Sequence, residues 1–174
     1  MNLREELLSE HSKAQCNKIV QWVGASEKRF EQLFHLFLTE EYRVNQRAAW
    51  PVSYCVIAHP SFIKKKFGKL VKNLRKPGLH DSVKRNSIRF LKNIDIPEKY
   101  HGDIMDICFG YLASPKEAVA IKVFSLIVLG NLSKKYPEIK PEIKVLIDEQ
   151  LPHQTIAFKG RAQKLLNSWN KKEK

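Results

Sequence analysis

The side chains that most often perform chemistry are scattered along this chain of 174 residues. Its six histidines lie apart from one another, mostly where helices are expected to begin or end. The sequence has no phosphate-binding glycine loop, no nucleophilic serine flanked by glycines and no His-Glu-x-x-His zinc motif. The three cysteines are far apart among apolar neighbours, which indicates buried reduced thiols. We therefore predict no metal ion, no cofactor and no catalytic residue, and enzymatic activity is the less favoured alternative.

Positive charge is the most unusual bulk property of the sequence. There are 31 Lys and Arg residues against 18 Asp and Glu, which gives a net charge of +13 with neutral histidines. Residues 64–92 hold most of the excess, with eleven basic residues and one acidic residue, Asp81. The candidate basic patch in this segment consists of Lys65, Lys66, Lys69, Lys72, Lys76 and Lys84. Such a cluster indicates an acidic partner or a phosphate backbone, or else a solvated helix face that keeps the chain soluble.

Helices must position these residues, because apolar side chains recur at three- and four-residue spacing along most of the chain. Ser12 and Ser26 are good N-caps, the chain has only seven glycines, and its β-branched residues are not concentrated in alternating runs. After a short helix over 2–9, we predict helices over 13–23, 27–40, 42–58, 62–74, 83–94, 98–113, 116–133, 137–150 and 155–170. The sequence therefore predicts an all-α protein.

Four of these helices share a spaced set of apolar and small residues. They align at Val44, Val83, Val119 and Phe158, which are separated by 39, 36 and 39 residues. Four residues later come Ala48, Ser87, Val123 and Ala162, and eight later Val52, Leu91, Ile127 and Leu166. These positions lie on one helix face, and a small residue in the middle lets a neighbouring helix approach closely. Each unit of 36 to 39 residues is then a helical hairpin that buries its core by stacking on the next.

This pattern resembles the HEAT-like and armadillo-like helical repeats over residues 27–170, with Pro97, Pro115 and Pro137 at predicted helix starts. The resemblance implies an α-α superhelix, a right-handed solenoid of about four hairpins with an N-terminal helical cap. We expect a single domain over 1–174, with cap helices in 1–26, hairpins in 27–170 and a tail in 171–174. An irregular helical bundle with accidental near-periodicity is the alternative.

In such solenoids the second helix of each hairpin often lines a concave groove, and the resemblance extends this expectation to the present chain. Three residues after the aligned positions come Arg47, Asn86, Lys122 and Arg161, and six after come Trp50, Arg89, Ser125 and Lys164. The candidate groove site is Arg47, Trp50, Arg85, Arg89, Lys92, Lys122, Arg161 and Lys164. Trp50 is either an exposed platform for a base or peptide or a residue packed where Pro51 kinks its helix.

The favoured function is a non-catalytic interaction module that binds a protein partner in the groove. The alternative is nucleic-acid binding through residues 64–92 and the basic groove. The HEAT-like alkylpurine DNA glycosylases are similar in architecture and charge, but their site needs tryptophans with an aspartate. Here Trp50 is followed four residues later by Tyr54, so the catalytic residues are not matched. The cysteines and the lack of a long apolar run predict a cytoplasmic protein without membrane contact.

Overall fold

The computed structural model describes residues 1–39 and 41–170, and every regular element within these ranges is helical. The α-helices are α1 Leu3–Ser9, α2 Lys13–Val23, α3 Glu27–Leu38, α4 Tyr42–Ala58, α5 Ser61–Lys64, α6 Phe67–Leu74, α7 Asp81–Leu91, α8 His101–Ala113, α9 Val119–Leu132, α10 Lys140–Gln150 and α11 Ile156–Asn170. Short 3₁₀ turns occupy Glu98–Tyr100, Pro137–Ile139 and Leu151–His153. The all-α prediction is confirmed, and the tail predicted over 171–174 lies outside the described residues.

The helices group into two compact units, Met1–Tyr100 and His101–Lys174, which we call unit 1 and unit 2. In unit 1 the central helix is α4, which packs against α1, α2, α3 and α7. In unit 2 the central helix is α9, which packs against α8, α10 and α11. Each central helix contributes fully buried apolar side chains, such as Val52 in α4 and Leu126 in α9. Burial of these faces is the main stabilising contribution in each unit.

The predicted N-caps explain where the first long helices begin. The Ser12 hydroxyl accepts a hydrogen bond from the backbone N–H of Gln15 at 3.1 Å, and the Ser26 hydroxyl accepts one from Arg29 at 3.3 Å. Gly24 follows α2 with a φ of 49°, in the left-handed region that glycine adopts without strain. The turn between α2 and α3 is therefore set by local residue types.

Several predicted helix boundaries differ from the structure; the helix predicted over 83–94, for example, is α7, which begins at Asp81 and ends at Leu91. The single helix expected over 62–74 is broken between α5 and α6, where Lys66 turns inward and is only 8% exposed. Its ammonium lies 2.9 Å from a carboxylate oxygen of Glu31 and 3.5 Å from one of Glu27, so the break brings it to α3. The helix expected over 116–133 begins only at Val119, because Ser114 accepts from the backbone N–H of Lys116 in a preceding turn.

Burial also corrects the alignment of α9 with the other repeated helices. The predicted positions Val119, Val123 and Ile127 are only partly buried, whereas Ile121 and Leu129 are fully buried. Moving the aligned position to Ile121 makes the spacings 39, 38 and 37 residues. The middle positions then become Ala48, Ser87, Ser125 and Ala162, all of them small and all 0% exposed. The position four residues after the aligned residue thus holds a small, buried side chain in all four helices. The predicted register of α9 is wrong by two residues.

The three cysteines are buried and free, as predicted. Burial raises the pKa of Cys16 to about 11 and the pKa values of Cys55 and Cys108 to about 12, because the thiolate would lose its hydration. None of the three thiols is therefore activated as a nucleophile at neutral pH.

No helix in the described part of the chain combines the length and the apolar character needed to cross a membrane.

Candidate functional site

In unit 1, two cations contact the hydroxyl of Tyr54, and the Trp50 ring lies beside the Tyr54 ring. The Lys13 ammonium donates a hydrogen bond to Tyr54 Oη at 2.8 Å, and Arg89 Nη2 donates to the same oxygen at 3.3 Å. The Trp50 ring lies one helical turn before Tyr54 on α4, with ring centroids 6.4 Å apart. We call Lys13, Trp50, Tyr54 and Arg89 the Tyr54 cluster. Its members come from α2, α4 and α7.

The repeat register explains how α4 and α7 present these side chains together. Trp50 lies six residues after the buried Val44, and Arg89 lies six residues after the buried Val83. The helices α4 and α7 pack against each other, and Trp50 and Arg89 occupy equivalent positions of the repeat. Lys13 reaches the same place from the first turn of α2, which Ser12 caps.

The cluster contains positive charge without a carboxylate. Lys13 Nζ lies 4.4 Å and the Arg89 guanidinium 4.8 Å from the centroid of the Tyr54 ring. Within residues 1–39 and 41–170, neither Lys13 nor Arg89 forms an ion pair. Hydrogen bonds from Lys13, then Arg89, then Trp50 lower the pKa of Tyr54 to about 8, because all three favour the phenolate.

The other predicted groove residues of unit 1 have different surroundings. Arg47 is partly buried and donates to the backbone carbonyl of Leu7 at 3.1 Å, which joins α4 to α1. Arg85 is exposed on α7, and Lys92 is the partly buried residue that follows this helix. Trp50 is itself partly buried, with the His11 ring 6.1 Å away in an edge-on arrangement. Trp50 is thus a flank of the Tyr54 cluster with one part of its ring accessible.

The predicted basic patch divides into exposed and buried lysines. Exposed side chains are those of Lys65, Lys69, Lys72 and Lys76. Lys66 is removed from the exposed patch by its burial against Glu27 and Glu31. Lys84 is partly buried and lies 3.2 Å from the Asp81 carboxylate on the same helix. The patch that a ligand can reach is therefore formed mainly by the α5–α6 segment.

In unit 2, Lys122 is only 3% exposed and does not present its ammonium to solvent. Lys122 Nζ donates to Gln150 Oε1 at 2.8 Å, and Gln150 in turn donates to the Leu112 carbonyl. Desolvation lowers the pKa of Lys122 because burial disfavours the charged form. The corrected register accounts for the burial of Lys122. Because Lys122 directly follows the aligned residue Ile121, it is not equivalent to Arg47 and Arg161, with which it was predicted to line the groove.

The two remaining predicted residues, Arg161 and Lys164, line a cavity of about 390 Å³ in unit 2. The cavity lies between α9 and α11 and also touches the start of α10, and we call it the α9–α11 pocket. Its floor includes Leu126, Leu165 and Trp169. Among the described residues, no His, Cys, Asp or Glu side chains group together in a way that could hold a metal ion.

Sequence reasoning missed Lys13, Tyr54, Lys134 and Lys140 as site residues. Tyr54 carried a weak indication, since it lies four residues after Trp50 and shares its helix face. Lys13 carried none, because its contact with Tyr54 depends on how α2 packs against α4. Lys134 lies two residues beyond the end of α9, and Lys140 is the first residue of α10, so both are outside the aligned repeat positions.

Paired helices with equivalent small, buried residues every 37 to 39 positions define a helical-repeat protein. Residues 3–165 match the family model described as a HEAT repeat domain, so the chain belongs to the HEAT repeat family. The match includes the N-terminal helices, which the sequence had suggested as a cap or as a degenerate first unit. HEAT repeats generally serve as protein-interaction scaffolds. Comparisons with curated proteins and with solved structures found no match.

Proposed function

We propose that this chain is a non-catalytic interaction module and that the Tyr54 cluster binds an acidic segment of a partner protein. The observation that carries the proposal is the convergence of Lys13 and Arg89 on one uncharged phenol oxygen. A neutral oxygen gives each cation only part of what a carboxylate would give. A carboxylate from a partner would accept charge-assisted hydrogen bonds from both cations, and the accessible part of Trp50 would pack beside it.

The wider form of the proposal follows from the repeat. It has the partner lie along a groove in a right-handed superhelix of about four hairpins, within a single domain over residues 1–174. The regular spacing of the aligned positions and membership of the HEAT repeat family support this form. In it, Arg47, Arg85, Lys92, Arg161 and Lys164 contribute further positive charge to the groove. The free, buried cysteines support a cytoplasmic location.

A second candidate function is favoured by the exposed lysines of the α5–α6 segment. Lys65, Lys69 and Lys72 are exposed and close together in sequence, which suits contacts to a phosphate backbone. Binding of this kind weakens with salt, by about 0.9 in the slope of log K against log salt for each phosphate that is neutralised on B-DNA. Nucleic-acid binding would therefore depend on different side chains from those that bind an acidic peptide.

Fluorescence anisotropy on the full chain separates the two functions. The probes are a labelled peptide of alternating Asp and Glu, a Gln peptide of equal length and a labelled DNA duplex. We expect the K13Q/R89Q variant to bind the acidic peptide about tenfold more weakly, because two charge-assisted hydrogen bonds are lost. The charge-matched variant K65Q/K72Q should change this affinity less than about twofold, since its lysines are screened by solvent.

Three results decide the matter. Equal loss in the two variants would show that bulk charge and not the Tyr54 cluster binds the peptide. Binding of the DNA duplex that is lost in K65Q/K72Q and kept in K13Q/R89Q would favour the second candidate. No binding of the acidic peptide at low salt would contradict the proposed function outright.

A further inference from the structure

The α9–α11 pocket in unit 2 has a size typical of sites for small molecules. Its volume of about 390 Å³ falls within the range of roughly 300 to 1,000 Å³ that such sites occupy. Leu126, Ile127, Leu165 and Trp169 contribute apolar surface to its lining. Leu126 is fully buried in the core of the unit, whereas Ile127, Leu165 and Trp169 are only partly buried. A ligand that filled the pocket would displace water from this apolar surface, which favours binding.

The rim of the pocket is basic. Lys134, Lys140, Arg161 and Lys164 all line it, and no Asp or Glu is among the lining residues that the structure describes. Lys134 and Lys164 are exposed, whereas Lys140 and Arg161 are partly buried. Lys140 Nζ lies 5.7 Å from the centroid of the Trp169 ring. Four cations around an apolar cavity raise the local potential for an anion.

The repeat register shows why this pocket is open. Counted from Ile121, residue Ile127 is at the sixth position and Asn131 at the tenth, where unit 1 has Trp50 and Tyr54. The smaller side chains leave the space that two aromatic rings occupy in unit 1. The Leu165 side chain of α11 packs over Gly130, where a Cβ would lie 2.7 Å from Leu165 Cδ1. The pocket is therefore built by specific residues.

We propose that the α9–α11 pocket binds a small amphipathic carboxylate, with its apolar body on the floor and its acidic group at Arg161 and Lys164. An uncharged apolar molecule would leave the rim cations without an anion, and a small hydrophilic anion would leave the floor hydrated. A ligand that carries both parts satisfies both surfaces, and the cavity volume suits a complete small molecule. This site is separate from the Tyr54 cluster and adds a ligand class to the proposed function.

Calorimetric titration of the full chain with three probes tests the proposal. Decanoate has an apolar body and a carboxylate, decanol has the body alone, and acetate has the carboxylate alone. We expect decanoate to bind about tenfold more tightly than decanol, and acetate not to bind detectably. The R161Q/K164Q variant should weaken decanoate binding about fivefold and leave decanol binding unchanged.

Two filling variants locate the ligand. I127W introduces at position 127 the residue that unit 1 has at the equivalent position, Trp50. S168F fills the pocket from α11, where Ser168 is exposed. Either variant that retains its helical circular dichroism should lose decanoate binding. K13Q/R89Q should keep it, so loss of acidic-peptide binding in that variant is distinguishable from loss of the pocket.

Several outcomes would overturn the inference. Equal affinity for decanoate and decanol would show that the basic rim has no role, and decanoate binding retained in folded I127W and S168F would show that it binds elsewhere. If decanoate failed to bind while an acidic peptide with one leucine bound in an I127W-sensitive way, the pocket would be a peptide-anchoring site instead.

Discussion

Unit 1 and unit 2 carry the same buried repeat positions and use the adjoining surface differently. On α4 and α7 of unit 1, the rings of Trp50 and Tyr54 lie side by side and Arg89 packs on the Tyr54 ring. On α9 and α11 of unit 2, Ile127 leaves a cavity beside Lys164, the counterpart of Arg89. Both α7 and α11 thus carry a cation six residues after the aligned buried residue. The aromatic residues of α4, in contrast, have no counterpart on α9. In this helical repeat the aligned buried residues determine how the helices pack. The residues six and ten positions later determine whether the adjoining surface is filled or forms a pocket.

The corrected register, on which this comparison depends, predicts the largest effect. We expect Ile121→Ala to lower the free energy of unfolding by about 2 to 5 kcal/mol, because a fully buried side chain leaves a cavity. Val119→Ala, at the position that the sequence alone suggested, should lower it by less than about 1 kcal/mol, since Val119 is only partly buried. Urea denaturation of both variants measures the difference. Equal losses would restore the uncorrected alignment and remove the equivalence between the two units.

Tyr54 in unit 1 and Tyr111 in unit 2 should ionise at opposite ends of the alkaline range. The pKa of Tyr54 is lowered from 10 to about 8 by its hydrogen-bond donors, whereas burial raises the pKa of Tyr111 in unit 2 above its usual value. Phenolate absorbance should therefore show one early phase near pH 8 that Tyr54→Phe removes. Lys13→Gln should move that phase to higher pH, because Lys13 is the principal donor.

The same titration has a consequence for stability. Between pH 8 and 10 the unfolded chain holds the Tyr54 proton more tightly than the folded chain, so folding is favoured as the pH rises through this window. The contribution of Tyr54 is complete above pH 10 and is lost as the pH falls through about 8. Chemical denaturation of the wild type and of Tyr54→Phe at both ends of the window checks the sign. A difference that shrinks as the pH rises would contradict it.

Buried lysines differ between the units as well. Lys66 in unit 1 is matched by Glu27 and Glu31, whereas Lys122 in unit 2 has the neutral Gln150 as its hydrogen-bond partner. Replacing Lys122 by Met removes a desolvated charge and keeps most of the volume, so we expect a gain of about 1 kcal/mol in the free energy of unfolding. Lys66→Met should give no such gain, because it leaves two carboxylates without their cation.

The Lys122 effect also has a pH signature. Because burial lowers the pKa of Lys122, the folded chain binds fewer protons there than the unfolded chain as the pH approaches 10.5. The cost of burying the lysine is full below its lowered pKa and declines as the pH rises through the window between the two values. The gain from Lys122→Met should therefore shrink with rising pH, and a gain that grew would show that desolvation is not its cause.

The sequence predicted the fold class and the family well because helical periodicity and capping residues are local properties. It could not place the register of α9, since Val119, Val123 and Ile127 are as apolar as the residues that are buried. It missed the contact between Lys13 and Tyr54 because 41 residues separate them along the chain. The pocket depends on Ile127 being smaller than Trp50 at the equivalent position and on how α11 packs against α9. Neither can be predicted from a pattern of residue types.

The smallest expected effect is also the most direct test of the comparison between the units. Replacing Trp50 by Ile and Tyr54 by Asn gives α4 the residues that α9 has at these positions. Removal of two rings should open a cavity between α4 and α7, with Arg89 and Lys13 at its rim. Calorimetry should then detect a second, weak decanoate site that the wild type lacks, and I127W added to this variant should abolish only the original site.

This double replacement separates residue identity from the rest of the fold. If the second site appears, the positions six and ten residues after the buried column are sufficient to switch a surface between a cation–aromatic cluster and a pocket. If the variant folds and no second site appears, then Gly130 or the start of α10 is also required, because these are features of the unit 2 pocket that unit 1 does not reproduce at the matching positions. Transfer of glycine to the matching position of α4, at Ser53, would then be the next replacement to make.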